Sequence, residues 1–371
     1  MGRRSLVTVL IVFAMIIAAC ASTGSDDTIT TTASTSGDNT TITEADPRAD
    51  WPEEILFGFI PSEKQEKLGD TVQPYMDYLT TELGITFKGI ITADYNGLVV
   101  AMGAGNTDLG AFGPLGYVQA KELYPTVEVL IQSIRFGADL YHGQWYTNDQ
   151  SLCEDDPVVG AYELVDGVAT IMEPTEVPAL QVGWAYNDGV LGQEVLEDGT
   201  EVKKGLVCTA SLDVVKGKKV AFTSATSTSG GLYPQLQLFE LGIDIESDLE
   251  YSYLTSQPAA VQAVYNGDFD IGVSYDDARR AIREDYPDVG EKVIVFNIND
   301  QQIPNDVVAV RGDLPDSLKA AIFDATKTYL GTEEGEVIFD DIYGWTDIRL
   351  ANDEDFDIVR EAAEQAGVLG G

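Results

Sequence analysis

The sequence is short of histidine, cysteine and positive charge: one His, three Cys, and 22 Lys and Arg against 62 Asp and Glu, for a formal net charge of −40. Each shortage removes a class of function. So few His and Cys residues offer no His/Cys metal cluster and no Cys-His or Ser-His-Asp set for covalent catalysis. An enzyme is therefore disfavoured, and neither a metal nor a cofactor is expected. Paired carboxylates serve glycosidases, but acids are so abundant here that such pairs carry no meaning by count. The deficit of Lys and Arg makes nucleic acid and anionic membrane surfaces poor partners. The acidic excess reads as a solvated shell, suited to a salty medium where screening reaches only about 3 Å at 1 M.

What is present begins with an address. Arg3 and Arg4 precede a mostly apolar run from Leu6 to Ala19, too short for a comfortable membrane span. The run ends Ile17-Ala18-Ala19-Cys20, small residues directly before a cysteine. This resembles a lipobox, in which the leader over 1–19 is removed and Cys20 carries lipid. A plain secretory signal has the same basic and apolar regions, so the cysteine is the discriminating residue. The Arg pair is only a weak signal of twin-arginine export, because two basic residues are expected at the start of any such leader. Residues 20–50 are dominated by Ser and Thr, with no aromatic residue. Such a stretch cannot bury enough apolar surface to offset its ordering entropy and is expected to be a disordered tether. The expected location is the cell surface or periplasm, with the membrane touched only through the lipid.

Two cysteines remain, Cys153 and Cys208, both in the exported part. Disulfides persist there, and a bridge between them would close a loop worth roughly 3–4 kcal/mol. The alternative is a pair of buried thiols.

The folded part, about 320 residues from Trp51 onward, exceeds one typical core and suggests two domains. Apolar runs at Ile55–Ile60, Ile85–Ile91, Leu109–Phe112 and Val127–Ile134 alternate with helical spacing over Val72–Leu83, ended by Gly84, over Asp94–Met102, and after Gly113-Pro114. This order predicts a mostly parallel sheet covered by helices. From Tyr141 to Val214 the texture changes to strands and loops, partly an insertion. Alternation resumes at Lys219–Phe222 and continues through Ser229–Leu241, Leu249–Leu254, Pro258–Tyr265, Phe269–Ser274, Asp277–Arg283 and Val293–Phe296. Val307–Val310 and three C-terminal helices, near 315–330, 333–341 and 354–366, close the chain. The expected architecture is α/β with two lobes: 51–140 with 297–371, and 141–296 carrying an insertion at about 145–210. A ligand cleft would lie between the lobes, at the carboxyl ends of strands.

The most informative segment is Val220–Leu232, VAFTSATSTSGGL. A strand runs into hydroxyl residues and two glycines, and a helix follows. Hydroxyls are good N-caps, and the first amides of a helix lack internal partners. With the helix dipole they form an anion site, and glycines let backbone approach a ligand. An ordinary hydroxyl cap has the same sequence. No Gly-Lys-Ser/Thr follows, so this is not a Walker loop. An anion bound by so acidic a protein must be held by short-range, aimed hydrogen bonds, because the overall field repels it.

Five ordered pieces go further: FGFIPSE (57–63), ADYNGLVVAMGAGNTDLGAFGPLGY (93–117), STSG (227–230), NGDFDIGVSYDD (266–277) and IPND (303–306). In that order the chain resembles the phosphate/phosphite/phosphonate-binding family of ABC-transporter substrate-binding proteins, over nearly all of 53–345 except the insertion. The resemblance implies a periplasmic-binding-protein fold of type II, a small phosphorus oxyanion as ligand, an ABC permease as partner, and a monomer. It implies that Ser227, Thr228 and Ser229 bind phosphorus oxygens, that Tyr95 and Tyr117 face the ligand, and that Asp306 and either Asp276 or Asp277 hold a ligand amino group or accept a P–OH proton. It also implies that the loop at Pro61-Ser62 and the turn Gly113-Pro114-Leu115 lend amides. Two positions depart from the family pattern: Gly231 stands where relatives usually carry an aromatic residue, and Tyr275 precedes an Asp pair rather than a single Glu. His142, after the first lobe's last strand, is either a ligand contact or structural; Trp145 and Trp184 belong to the cleft or to a core. A sensor lipoprotein docking on a receptor would share the fold and anchor; neighbouring permease and ATPase genes discriminate.

Overall fold

The computed structural model describes residues 46, 48–63, 65–135, 137–165, 168–172 and 205–369. The leader, Cys20, most of the tether and Trp184 lie outside the described residues.

The first run of elements is β1 (Glu54–Phe59), α1 (Gln65–Leu83), β2 (Thr86–Ile91), α2 (Tyr95–Gly103), β3 (Leu109–Phe112), α3 (Pro114–Leu123) and β4 (Val127–Ile134). Local chemistry accounts for their ends. Asp94 caps α2, its Oδ1 accepting from the Gly97 amide at 2.7 Å, and Pro114 opens α3, where a missing N–H does no harm. Val72, Tyr75, Met76, Leu79 and Leu83 share the buried face of α1, each contributing roughly 1.5–3 kcal/mol by leaving water.

Short strands follow: β5 (Leu140–Tyr141), β6 (Gly143–Thr147), β7 (Val158–Val159), a hairpin of β8 (Ala161–Val165) with β9 (Val168–Met172), and β10 (Leu206–Val207). Regular alternation returns with β11 (Lys219–Phe222), α4 (Tyr233–Glu240), α5 (Ile245–Asp248), β12 (Glu250–Tyr253), α6 (Gln257–Asn266), β13 (Ile271–Tyr275), α7 (Val289–Lys292) and β14 (Ile294–Ile298). The chain then runs through β15 (Ile303–Pro304) and β16 (Val307–Arg311) to α8 (Asp316–Leu330), α9 (Glu333–Tyr343), β17 (Asp347–Leu350) and α10 (Asp357–Gln365).

Two mixed sheets result. The first has the order β17-β4-β16-β3-β1-β2 and the second β12-β11-β13-β6-β14-β10-β7. The expectation of mostly parallel sheets needs correction. β1, β2 and β3 are parallel, as are β11, β12 and β13, but β16 pairs antiparallel with both β3 and β4, and β6 pairs antiparallel with both β13 and β14. The physical reason is the path of the chain. β6 and β16 are the strands by which the chain enters one sheet from the other, so each arrives from the opposite end. β5 and β15, on the two crossings, pair with each other.

β6 also corrects the expected start of the insertion, since residues 143–147 form a central strand. Trp145 and Tyr146 are buried on its opposite faces. Trp145 packs against Phe222 and Phe296 in one layer, and Tyr146 lies with Val261, Val264 and Val295 in the other. β6 is buried along its whole length although Gln144 and Thr147 are polar, and Trp145 belongs to this core, its Nε1 donating to Gln237 Oε1 at 2.9 Å.

Cys153 and Cys208 are joined by a disulfide across a separation of 55 residues. It fastens the segment after β6 to the residue after β10, and the Cys208 amide donates to the Val295 carbonyl at 2.9 Å. Closing a loop of this length constrains the unfolded chain by roughly 3–4 kcal/mol. Cys153→Ala with Cys208→Ala is expected to lower unfolding free energy by about that amount in urea titrations; wild-type protein melting identically with and without reductant would contradict it.

Candidate functional site

A small cavity of about 30 Å³ lies where the two sheets face one another. From the first sheet and its helices come Ile60, Ser62 and Glu63 after β1, Tyr95 at the start of α2, Gly113 after β3, Arg135 after β4, Asp306 before β16, and Tyr343 at the end of α9. Tyr141 enters from β5. From the second sheet come Ser227 and Ser229 after β11, Gln257 at the start of α6, and Tyr275 at the end of β13. Most of these follow the carboxyl ends of parallel strands, where open α/β sheets collect ligands.

The hydroxyl-rich segment folds into a wide first turn. Thr228–Leu232 is a π-helical turn leading into α4, and the Leu232 amide donates to the Ser227 carbonyl at 2.9 Å. Ser227 caps it: its Oγ accepts from the Gly230 amide at 3.1 Å and from Gln257 Nε2 at 3.2 Å. With both lone pairs engaged, the Ser227 hydroxyl proton is left to donate. Thr228 and Ser229 carry the first amides of the turn, which a helix leaves without internal partners. The two glycines serve packing rather than ligand approach. A Cβ on Gly230 would come 2.2 Å from Thr223 Oγ1, and one on Gly231 would come 2.1 Å from the Ser224 carbonyl oxygen. Any side chain at 231 would force the turn off the end of β11, so the departure from the family pattern there is a local packing requirement.

Gln257 ties the two sides together. Its Oε1 accepts from Thr223 Oγ1 and from the Tyr275 amide, at 3.2 and 3.3 Å. Its Nε2 donates to Ser227 Oγ and to the Tyr95 hydroxyl, the latter at 3.4 Å, and its backbone amide donates to the Ser62 carbonyl at 3.1 Å. Further bonds cross from one sheet's elements to the other's. The Leu115 amide donates to Thr228 Oγ1 at 2.9 Å, and the Tyr275 hydroxyl donates to Glu63 Oε1 at 2.8 Å.

The electrostatics centre on Arg135, the basic residue of the lining. Its guanidinium lies 4.8 Å from the Tyr275 ring centroid, and its Nε is buried without a hydrogen-bond partner among the described residues. Burial opposes its charge, but Tyr275, Asp306 and Asp276 outweigh that and hold its pKa above the ordinary arginine value. The acids around it behave oppositely. Burial pushes Glu63 up to about 7 against the pull of Tyr275 and Arg135. Burial likewise pushes Asp276 up to about 8 and raises Asp306, with Arg135 opposing in each case. Near neutral pH the cavity therefore offers a fixed cation, partly protonated carboxyls and hydroxyl donors, a set suited to an anion.

The structure brings together Ser62, Tyr95, Ser227, Ser229 and Asp306 of the residues expected at the ligand. It places the others elsewhere. Thr228 does not line the cavity; its Oγ1 accepts from the Leu115 amide, so this pair joins the two sides and the Leu115 amide is not free for a ligand. The Tyr117 hydroxyl donates to Asp353 and its ring meets Phe356 edge-on, 5.2 Å between centroids, because this face of α3 is covered by the C-terminal segment. His142 Nδ1 faces the Asn299 carbonyl at 3.2 Å. Tyr141 takes the cavity side, and successive residues of an extended chain point to opposite sides. Asp276 stands behind the lining, its Oδ1 accepting from the His142 amide at 3.4 Å. Asp277 is wholly buried with Arg279, their closest atoms 2.7 Å apart. Burial would raise its pKa, but Arg279 and the amides it caps hold it below the usual carboxylate range.

Sequence reasoning missed Arg135, Glu63, Tyr141, Gln257, Tyr275 and Tyr343 as lining residues. For Arg135 a signal existed: a cation placed directly after a buried strand, at its carboxyl end. For Gln257 there was none, since a Gln opening a helix after a Ser cap is common.

The Asp277 assignment is testable. Arg279→Met leaves a carboxylate buried without its cation and is expected to cost about 3–5 kcal/mol in urea denaturation. An unchanged midpoint would return Asp277 to consideration as a ligand-facing acid.

Comparison with known proteins agrees with this geometry. The model of the family described as ABC transporter, phosphonate, periplasmic substrate-binding protein matches residues 57–356. The phosphate-import protein PhnD of Mycolicibacterium smegmatis is 26% identical over 234 residues, 61% of this chain, and the chain spans about 56% of that relative's length. A binding protein component of an ABC phosphonate transporter from Pseudomonas aeruginosa superposes with a TM-score of 0.61 at 19% identity, covering 84% of this chain and 86% of that one. PhnD1 from Prochlorococcus marinus, solved in complex with methylphosphonate, gives 0.62 at 17% identity, covering 85% and 99%. The two structures share the two-sheet fold. With the family model spanning both sheets and the cavity between them, the chain belongs to the phosphonate-binding family of periplasmic ABC-transporter substrate-binding proteins, a family of binding proteins rather than enzymes.

Proposed function

We propose that this chain captures a small phosphorus oxyanion, a phosphonate, phosphite or phosphate, between two lobes and delivers it to an ABC permease. The observation that carries the reading is the convergence of Arg135 with Ser227, Ser229 and Tyr95 on one enclosed cavity of about 30 Å³. That volume corresponds to roughly two or three waters. It suits a compact tetrahedral anion and excludes a nucleotide or a peptide. Arg135 supplies the counter-charge. The Ser227 and Tyr95 hydroxyls, each accepting from Gln257 Nε2, have protons left to donate. The first amides of the turn at Thr228 and Ser229 add donors aimed along a helix axis.

In this reading residues 51–140 and the chain from β15 onward move as one lobe and 141–298 as the other, since Asn297 and Ile298 pair with β6 in the second sheet, and the hinge lies at the paired crossings β5 and β15. Ligand contacts both lobes and shifts the population toward closure. Closure seals the cavity with the Gln257 amide on Ser62 and the Tyr275 hydroxyl on Glu63, and each donor gains strength as water leaves. Cys20 is the lipid attachment that holds the protein at the membrane, with the tether leading to the folded body.

Ser227→Ala with Ser229→Ala is expected to weaken calorimetric affinity for phosphate, phosphite or methylphosphonate about tenfold or more, in a protein that still folds after losing about 1–2 kcal/mol with the Ser227 cap; full affinity in that variant would reject the site. A pH experiment addresses Glu63. Its pKa is raised from 4.5 to about 7, so the neutral form is favoured in the folded state. The stability this contributes is fully present below pH 4.5 and is lost as pH rises through about 7. Ligand-free wild type should therefore melt at progressively lower temperature from pH 5 to 8, and anion affinity should fall over the same window beyond what the ligand's own ionisation accounts for. Glu63→Gln should reduce both trends, leaving the part that Asp276 and Asp306 supply through their own raised pKa values; parallel wild-type and variant profiles would remove Glu63 from the account. Cys20→Ala should release the exported protein from the membrane fraction into the soluble one, and retention of the variant on membranes would refute the anchor.

A further inference from the structure

Three acidic side chains surround this cavity, Glu63 and Asp306 in its lining and Asp276 just behind. In a site built for anions they need a reason. Left to themselves, three carboxyls around a small space make a receptor for an ammonium group. Arg135 acts electrostatically on all three, whereas Arg280, which is outside the lining, acts on Glu63 and Asp276. It is also held where it is. Its backbone is locked by a reciprocal pair with Ala138, N to O at 2.8 and 3.0 Å. One face of the guanidinium lies on the Tyr275 ring. Against it also stands Gly344, at the end of α9, where φ is +68° and a Cβ would come 3.5 Å from an Arg135 terminal nitrogen. The cation is thus part of the wall and is not free to swing away for an incoming one.

We infer that Arg135 is a specificity-determining residue: it stands as a built-in cation among the carboxyls where a ligand's ammonium would have to sit, so the cavity takes phosphorus oxyanions that bring no positive charge of their own. This rests on the phosphorus-oxyanion reading above and narrows it. Size and charge agree. About 30 Å³ leaves no room for an aminoalkyl tail beside a phosphoryl group, and a second cation within a few ångströms of the guanidinium is repelled with little water to screen it. Tail-free ligands such as phosphite, phosphate and methylphosphonate meet the guanidinium, whose Nε has a hydrogen to give. The carboxyls keep the empty cavity from carrying an uncompensated charge.

The test is a calorimetric panel on the full-length protein with inorganic phosphate, phosphite, methylphosphonate and 2-aminoethylphosphonate. Wild type is expected to bind at least one of the first three, and to bind 2-aminoethylphosphonate on the order of a hundredfold more weakly than the best of them. Arg135→Gln removes the cation that lines the cavity and leaves the lining carboxyls, Glu63 and Asp306, to receive an ammonium. It should weaken the tail-free ligands and bring the ratio to 2-aminoethylphosphonate within about tenfold or invert it. Arg135→Lys keeps the charge and should keep the rejection. Two results overturn the inference while the oxyanion reading stands: wild type binding 2-aminoethylphosphonate as tightly as the best tail-free ligand, or a folded Arg135→Gln with an unchanged ratio. Should Arg135→Gln fail to fold, the wild-type and Arg135→Lys ratios decide. Wild type binding none of the four compounds would overturn the oxyanion reading itself, and this inference with it.

Discussion

A guanidinium held among carboxyls, in a body that carries a formal charge of −40, is the constraint on which the site turns. The long-range field of such a body repels anions, but exposed charges are screened within about 8–10 Å at ordinary ionic strength. Inside a closed cavity the balance is set at contact distance, where one unit charge acting on another at 4 Å is worth about 4 kcal/mol at an effective dielectric of 20. The sign at Arg135 therefore outweighs the sign of the whole surface. It does so only if the acids beside it are not all ionised. Burial, which holds Glu63 near 7 and Asp276 near 8, meets that condition.

In the proposed hinge motion the same burial comes with closure, and Gln257 is the residue that spans the two sides. Its side-chain amide meets Tyr95 from one sheet's elements and Thr223, Ser227 and Tyr275 from the other's, while its backbone amide meets Ser62. Opening the cleft breaks the bonds to Ser62 and Tyr95, together with those from Leu115 to Thr228 and from Tyr275 to Glu63. Water then reaches the carboxyls, their pKa values relax, and they ionise around Arg135. An open cleft is thus a poor anion site and a closed one a good site, so shape and charge change together. This coupling lets a binding protein hold its ligand firmly when closed and release it when a partner pries the lobes apart.

Much of the scaffold was legible in the sequence because apolar periodicity reports burial. Val127–Ile134, Leu109–Phe112 and Lys219–Phe222 are strands with the expected bounds, and Pro114 opens its helix. Strand direction was not legible. Val307–Val310 reads the same whether it lies parallel or antiparallel to its neighbours, and its insertion between β3 and β4 follows from the chain's route between lobes. β17 was missed because DIRL, although it alternates polar and apolar residues, is only four residues long and carries just two apolar positions. In the site, the hydroxyl-glycine segment was found because helix caps leave a compositional trace. What each glycine does was misjudged, since the close approach is to Thr223 and Ser224 rather than to ligand. The family resemblance put Tyr117 at the ligand, and His142 was left open between ligand contact and structural residue; a helical turn or one step of alternation carries a side chain to the other side.

Asp276 and Asp277 show how narrow that margin is. They are adjacent acids at the end of the same strand, with the same intrinsic chemistry, and the structure sends their pKa values in opposite directions. Asp277 turns inward to Arg279, whose Nε and terminal nitrogen lie 2.7–3.1 Å from its carboxylate, and becomes a permanently charged strut capping the turn that follows. Asp276 stands just behind the cavity lining, feels Arg135 and Arg280 through space, and is pushed by burial toward the neutral form. A basic residue two places along the chain thus decides which of two identical side chains serves the fold and which tunes the cavity. Arg135 and Arg279 play matching parts in the two halves of this balance. One cation is paired completely and stabilises the second lobe's turn, whereas the other keeps a buried hydrogen-bond donor unspent, and that donor is the feature through which an oxyanion can be recognised.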